Sequence, residues 1–361
     1  MDIDEQLAGL RQNIDRIDNE IIERLNERVR LASEVGKIKH REGGAIYVPS
    51  REELIFEKLS NINKGPLPQD AIRSIWREII SASISLEKKL VIAYLGPEAT
   101  YTHQAALKNF GSSLDYRPMK TIPDVILEVE RGEADYGVFP IENSTGGVVN
   151  QSQEMLVDSE AKIIAQVFLR VEHCLLSDQP LEKITRIFSK DQAFSQCRDW
   201  LRRNVPDAEY LEVESTAKGV QMTKETEGGA AIASELAGEM NGVAVAARCI
   251  QDRVDNSTRF LVIGKSKTPA LGKGRDRTSI VFSINDEVGA LQTALDTISK
   301  RGINMCKIES CPTRRKSWDY FFFVDFIGHI DEPEVQDVVR ELEARCQFVH
   351  WLGSYPDVRV V

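Results

Sequence analysis

The chain lacks most of the groupings that build metal, redox and secreted-protein chemistry. Its six cysteines (Cys174, Cys197, Cys249, Cys306, Cys311 and Cys346) are scattered and form no CxxC pair. That fits free thiols in a reducing compartment better than a zinc site or a disulfide frame. Five dispersed histidines make no metal cluster. There is no HExxH, no P-loop and no defensible Ser-His-Asp arrangement, so no metal and no cofactor is expected. No apolar run approaches membrane-spanning length. The opening Met1-Asp2-Ile3-Asp4-Glu5 has neither the basic nor the apolar part of a targeting segment. The expected place is the cytoplasm, and a membrane is not an expected partner. Net charge is −10 with no polybasic stretch, which argues against nucleic acid. What remains is an ordinary globular composition over 361 residues, 42% hydrophobic and 28% charged, enough for two or three domains.

The first forty residues are the most informative. Leu7, Leu10, Ile14, Ile17 and Ile21 repeat at spacings of three and four, the seam of an amphipathic or coiled-coil helix. The repeat requires apolar residues at 24 and 28, where the chain has Arg24 and Arg28; it resumes at Leu31, Val35 and Ile38. A guanidinium facing a core is costly unless an anion meets it. Arg28 and Lys39 lie about 20° apart around the helix axis and about 16 Å apart along it. Over Ala32 and Val35 they would frame a slot for a compact anion. Arg11 is about 25 Å from Arg28 and reaches such a slot only on a second, antiparallel chain. The alternative is that Arg11, Arg28 and Lys39 are solvated residues at the edge of the stripe.

Three blocks separate by pattern. Residues 1–89 read as three helices: one to about His40, one after Pro49 opened by the capping-box pattern Ser50-Arg51-Glu52-Glu53, and one from Gln69 to about Lys88. So small a block can hardly bury the flanks of a helix that long, so a homodimer or higher homo-oligomer is expected. Residues 90–267 alternate short apolar runs with helical stretches, as an α/β domain does. Val91–Leu95 is stopped by Gly96-Pro97, and Tyr136–Phe139 is followed by Pro140. Residues 277–356 read strand, helix, strand, strand, helix, strand, a ferredoxin-like order.

Polar clusters stand beside the apolar runs of the middle block. They are Gly96-Pro97-Glu98-Ala99-Thr100-Tyr101-Thr102, Pro140-Ile141-Glu142-Asn143-Ser144-Thr145-Gly146-Gly147, and Asn256-Ser257-Thr258-Arg259-Phe260 before a strand. Strand ends and helix N-termini are where α/β folds bind ligands, and these residues offer hydroxyls, amides and backbone N–H groups. Singly they read equally well as caps and turns.

Taken in order, the three blocks resemble the bifunctional chorismate mutase–prephenate dehydratases over nearly the whole chain. The first resembles an all-α, AroQ-type mutase domain. The resemblance implies that Arg11, Arg28, Lys39, Arg51, Glu52, Ser83 and Glu87 bind and rearrange chorismate, with Lys39 and Glu87 at its ether oxygen. Ala93-Tyr94-Leu95-Gly96-Pro97-Glu98, Val138–Ser144 and Ser257-Thr258-Arg259-Phe260 resemble dehydratase signatures. They imply a two-lobed, periplasmic-binding-protein-like α/β domain. In it Thr258 would be essential, and Thr100, Asn143, Ser144, Thr145, Arg259 and Phe260 would bind prephenate. Gly289-Ala290-Leu291 and Ile308-Glu309-Ser310-Cys311-Pro312 resemble the phenylalanine-binding stretches of an α+β ACT domain. Gly289, Ala290, Leu291, Asn304, Glu309 and Ser310 would hold phenylalanine as effector.

Four positions depart from the family pattern. Val48 stands where some mutases carry aspartate, Ala99 where a glycine is usual, and Cys311 where an arginine is usual. Glu87 replaces a glutamine, and a carboxylate donates to an ether oxygen only when protonated; mutase activity falling as pH rises is expected. Two other readings stay open: a sensor of amino acids without catalysis, and an enzyme with one live activity.

Overall fold

The computed structural model describes residues 3–41, 44–253, 255–312 and 320–358. It begins with α1 (Ile3–Arg41), α2 (Pro49–Ile62) and α3 (Gln69–Glu87). The expected capping box does not form. Pro49 takes the first helical position, where its fixed φ suits a helix start. Val48 is therefore the cap, without a side-chain bond, and Ser50 lies buried inside the first turn. α1 packs on α3 only toward its C-terminal end; Leu7, Leu10, Ile14, Ile17 and Ile21 remain exposed in the single chain. The helical block is tied to the middle block by an aromatic contact. Tyr47 is buried against Phe110 and Tyr136, with ring centroids at 4.7 and 5.3 Å.

The middle block forms two lobes. The first begins with β1 (Val91–Leu95), α4 (Tyr101–Phe110), β2 (Asp115–Met119), α5 (Ile122–Arg131), β3 (Tyr136–Asn143), β4 (Gly147–Val148), α6 (Asn150–Asp158) and β5 (Lys162–Arg170). The chain then crosses to the second lobe. That lobe holds β6 (Cys174–Leu176), β7 (Arg186–Ser189), α7 (Asp191–Gln196), α8 (Arg198–Asn204), β8 (Glu209–Glu212), α9 (Thr216–Glu225), β9 (Gly229–Ala233), α10 (Glu235–Asn241) and β10 (Val245–Ala247). β11 (Ser257–Gly264) returns to the first lobe. The sheet orders are β2-β1-β3-β11-β5, with β4 on β3, and β10-β6-β9-β7-β8. The two crossings are bonded to each other: Ile250 N–H donates to the His173 carbonyl and Val171 N–H to that of Asn256, at 2.9 and 2.8 Å.

Pro140 does not end its strand, as the sequence suggested. β3 continues to Asn143, and Pro140 sits opposite Phe260 where the register shifts between Arg259 and Phe260. A bulge is where a strand tolerates a residue without an N–H. Thr258, likewise, lies within β11 rather than before it, paired with Asn143.

The third block comprises β12 (Asp276–Ser283), α11 (Ala290–Ser299), β13 (Met305–Pro312), β14 (Tyr320–Ile327), α12 (Pro333–Arg345) and β15 (Phe348–Pro356). Its sheet runs β13-β14-β12-β15, and each neighbouring pair is antiparallel. One face carries Ile280, Phe282, Val324 and Phe326 under the two helices. The other carries Val281, Cys311, Phe323 and Tyr355 into a core shared with Leu156, Ile163, Leu261 and Ile263 of the first lobe. The backbones approach so closely that a Cβ at Gly353 would collide with the Ile163 carbonyl.

Candidate active sites

The cleft between the two lobes has a volume of about 1310 Å³. Its floor is the paired ends of β3 and β11. Asn143 organises it. Its Oδ1 accepts from the backbone N–H of Thr145 (3.0 Å) and Gly146 (2.8 Å) and from the Thr145 hydroxyl (2.7 Å). Those backbone donors fix the amide, so Nδ2 is the end that donates to Thr258 Oγ1 (2.7 Å) and Asn256 Oδ1 (2.9 Å). Among the described residues, no acceptor takes the Thr258 hydroxyl hydrogen. Phe260 is buried and also lines the cleft.

Thr100 caps α4, accepting from His103 N–H while its hydroxyl donates to the Pro97 carbonyl at 3.0 Å. Its neighbour Ala99 is buried with φ +63°, a left-handed conformation that explains why a glycine suits the position. Ser144 turns away from the cleft: its N–H bonds the Ser257 carbonyl, and its Oγ bonds the Asp255 carbonyl and the Ser257 N–H. It staples two strand ends. Lysines from both lobes (Lys120, Lys190, Lys218) line the rim together with Glu98 and Glu214.

Arg259 does not belong to this cleft, contrary to expectation. Adjacent strand residues face opposite ways, so Thr258 faces the cleft while Arg259 enters the contact with the third domain. There its guanidinium meets Asp325 (2.8 Å), Glu142 (3.0 Å) and the Tyr355 hydroxyl (2.7 Å). Lys307 also pairs with Glu142, and Ser279 with Asp325. Burial pushes the Glu142 and Asp325 carboxyls up, but the surrounding cations and donors outweigh it and hold both below the usual range.

Nothing in the sequence pattern singled out His173 and Gln196, both in the cleft wall. His173 Nδ1 lies 2.8 Å from the Tyr101 hydroxyl and its Nε2 2.8 Å from Gln196 Oε1; Gln196 Nε2 donates to Thr145 Oγ1 at 3.2 Å. Neither residue stands in a strand-end cluster.

In the helical block, Arg28 Nη1 donates to Ser83 Oγ at 3.1 Å across α1 and α3. The arginine is half-buried, and desolvation lowers its pKa, so it is not a freely solvated edge residue. Glu87 packs on the same helix pair, where a Cβ at Gly36 would strike its carboxylate. Lys39 is half-buried; Arg11 and Arg51 are exposed. Glu52 turns to Arg77 of α3 in a buried ion pair. Burial raises its carboxyl pKa against the pull of that cation.

In the third domain, Gly289 caps α11 with φ +84°, and Ala290 and Leu291 open that helix. Glu309 and Ser310 lie on β13 toward the same end of the sheet. Asn304 lies toward the opposite end, its carbonyl bonded to Ile327 N–H at 2.9 Å. One chain therefore separates Asn304 from Gly289 by most of the length of a strand, about 20 Å. Cys311 is buried against the first lobe rather than exposed to an effector.

Residues 92–268 match the family model for prephenate dehydratase, residues 10–88 that for chorismate mutase type II, and residues 278–344 that for the ACT domain. The chain is 48% identical over 357 residues to the bifunctional chorismate mutase/prephenate dehydratase of Aquifex aeolicus, covering 98% of both. To the protein of the same name in Neisseria gonorrhoeae it is 40% identical over 358 residues, again covering 98% of both. A solved prephenate dehydratase from Arthrobacter aurescens in complex with L-Phe superposes with a TM-score of 0.69 at 29% identity, over 75% of this chain and 93% of that one.

Proposed function

The chain belongs to the bifunctional chorismate mutase/prephenate dehydratase family, and we propose that it accordingly makes phenylpyruvate from chorismate in two steps. Chorismate rearranges to prephenate in the helical domain. Prephenate loses carbon dioxide and water in the interlobe cleft. Phenylalanine, bound by the third domain, inhibits as the end product. The hydrogen-bonded pair Asn143 and Thr258 at the floor of the cleft carries the reading of the second step.

The rearrangement is intramolecular and needs no nucleophile, so catalysis is positioning plus electrostatics. Arg28, Lys39 and Arg51 would clamp the two carboxylates, and Arg11 of the partner subunit would complete the slot. The contact between Arg28 and Ser83 supports that grouping. Glu52, held by Arg77, has one oxygen in that ion pair and the other buried without a partner, so it would have to turn toward the slot to meet substrate. Glu87, as a carboxylate, cannot donate to the ether oxygen. Glu87→Gln places an amide donor at that position and should raise mutase turnover; an unchanged rate would remove the basis for this role.

In the dehydratase step the C–C bond to the departing carboxylate breaks. Its electron pair enters the ring as the C–O bond to the hydroxyl breaks and aromaticity is gained. The hydroxyl leaves as hydroxide and takes up a proton from solvent to become water. A threonine is a poor general acid, so Thr258 acts as a hydrogen-bond donor to the leaving oxygen. The rim lysines suit the carboxylate that is retained. We further read the protein as a cytoplasmic homodimer. Incubating the purified chain with chorismate tests the whole reading: prephenate should appear, then phenylpyruvate, and added phenylalanine should slow the second product. Accumulation of prephenate alone would leave only the mutase, and no turnover would leave an amino-acid sensor.

A further inference from the structure

The orientation of each hydrogen bond across the cleft is set by the backbone. Asn143 Oδ1 faces two backbone N–H donors, so the Thr145 hydroxyl, 2.7 Å from that oxygen and 3.3 Å from Asn256 Oδ1, spends its hydrogen on these acceptors. Thr145 Oγ1 then accepts from Gln196, which must present its NH₂ group (3.2 Å). That leaves Gln196 Oε1 facing His173 Nε2 at 2.8 Å, so Nε2 must carry a hydrogen. Burial favours the neutral ring, opposed by the Gln196 bond. Nδ1 is then bare and takes the Tyr101 hydroxyl hydrogen, shared with the Glu172 carbonyl. The Nε2 hydrogen is present in the protonated ring as well, so the bond to Gln196 does not depend on the charge of His173.

This chain of bonds crosses the lobes. Thr145 lies just past β3 in the first lobe, Gln196 ends α7 in the second, and His173 stands on the crossing between them. His173 is itself held on the second crossing: its N–H donates to Gln251 Oε1 at 2.9 Å. An amide such as that of Gln196 can rotate by half a turn and reverse its donor and acceptor. The His173 Nε2–H prevents that reversal, because a flipped amide would point its NH₂ at another donor.

We propose that His173 is a positioning residue for the dehydratase step. It fixes the Gln196 amide so that the second lobe clasps the Thr145 turn. That turn holds Asn143, and Asn143 holds Thr258 with its hydroxyl hydrogen facing the cleft. The inference rests on the assignment of dehydratase chemistry to this cleft. Its mark is an effect on turnover rather than on affinity, because none of these bonds is made to substrate.

The test uses the full chain, with prephenate as substrate. His173→Phe keeps a ring of similar shape and removes both bonds; kcat should fall about tenfold, the size of one lost positioned hydrogen bond, with KM changed less than about threefold. His173→Gln keeps a donor for Gln196 and should recover most of the rate. Thr145→Val should lose a similar factor, and the double variant with His173→Phe should lose little more than either alone, since both break one chain. A raised KM at unchanged kcat, equal loss in the Phe and Gln variants, or multiplying losses in the double variant would overturn the proposal. If His173→Phe unfolds, as thermal melting would reveal, the comparison of His173→Gln with Thr145→Val decides in its place. Thr258→Val separates the two levels. If that variant still dehydrates prephenate, the assignment of the cleft fails; if it is inactive while His173→Phe is normal, only the positioning role fails.

Discussion

Thr258 and Arg259 are neighbours whose side chains face opposite ways, one lining the cleft and the other meeting Asp325 of the ACT sheet. Thr258→Val keeps size and removes the donor. It should lower dehydratase kcat by at least about 100-fold, the scale of losing one preorganised donor at a developing charge, and leave mutase turnover intact; parallel assays with chorismate and prephenate check this. Arg259→Met leaves the buried Asp325 and the half-buried Glu142 without their shared cation. Breaking one partner of a buried pair costs about 3–5 kcal/mol. A lowered melting temperature of the full chain, with loss of phenylalanine inhibition, is the expected result. The sequence showed both residues in one motif and could not say that they face different partners. Strand alternation turns them apart, and the sheet of the third domain decides what Arg259 meets, a contact that leaves no local signal.

At the scale of elements, α1 is the clearest case of pattern outrunning the single chain. Its apolar stripe was legible from spacing, and so was the break at Arg28. In the structure the stripe from Leu7 to Ile21 stays exposed, while Arg28 finds Ser83 on α3. A helix with that much uncovered apolar surface needs a partner, and Arg11 lies on the uncovered part. We expect a dimer in solution joined through α1. Ile14→Glu should dissociate it, seen by light scattering, and abolish mutase activity by removing Arg11 of the partner subunit from the slot. Dehydratase activity should survive. A dissociated variant with full mutase activity would mean that one chain holds a complete slot. The capping box at Ser50 failed for a reason equally local: Pro49 starts a helix by itself, so the cap moved upstream to Val48.

At the scale of the whole molecule, the ACT sheet is built into the dehydratase lobe rather than tethered to it. Its inner face completes the core around Ile163 and Leu261, and its polar residues close on Arg259 and Glu142. The Glu142 and Asp325 carboxyls are held below their ordinary values by Lys307, Arg259 and Arg277. Carboxylates with depressed folded pKa values contribute stability that is fully present above their unfolded values, about 4–4.5, and lost as pH falls through the folded ones. The melting temperature should therefore drop steeply below about pH 4. Asp325→Asn should melt lower at neutral pH and depend less on acid; an unchanged acid slope would show that other carboxylates dominate. The sequence by itself determined what depends on short-range order. That includes the helical stripe, the α/β alternation, the ferredoxin-like order and the strand-end clusters, since periodicity and turn chemistry act within a few residues. The tertiary structure alone decided what depends on contacts between distant segments. It turned Arg259 from the cleft to the ACT sheet, buried Cys311 between domains, gave Glu52 to Arg77, and set His173 and Gln196 beside Thr145. A lone histidine or glutamine carries no periodic mark, because its role is fixed only when two lobes bring its partners within hydrogen-bond reach.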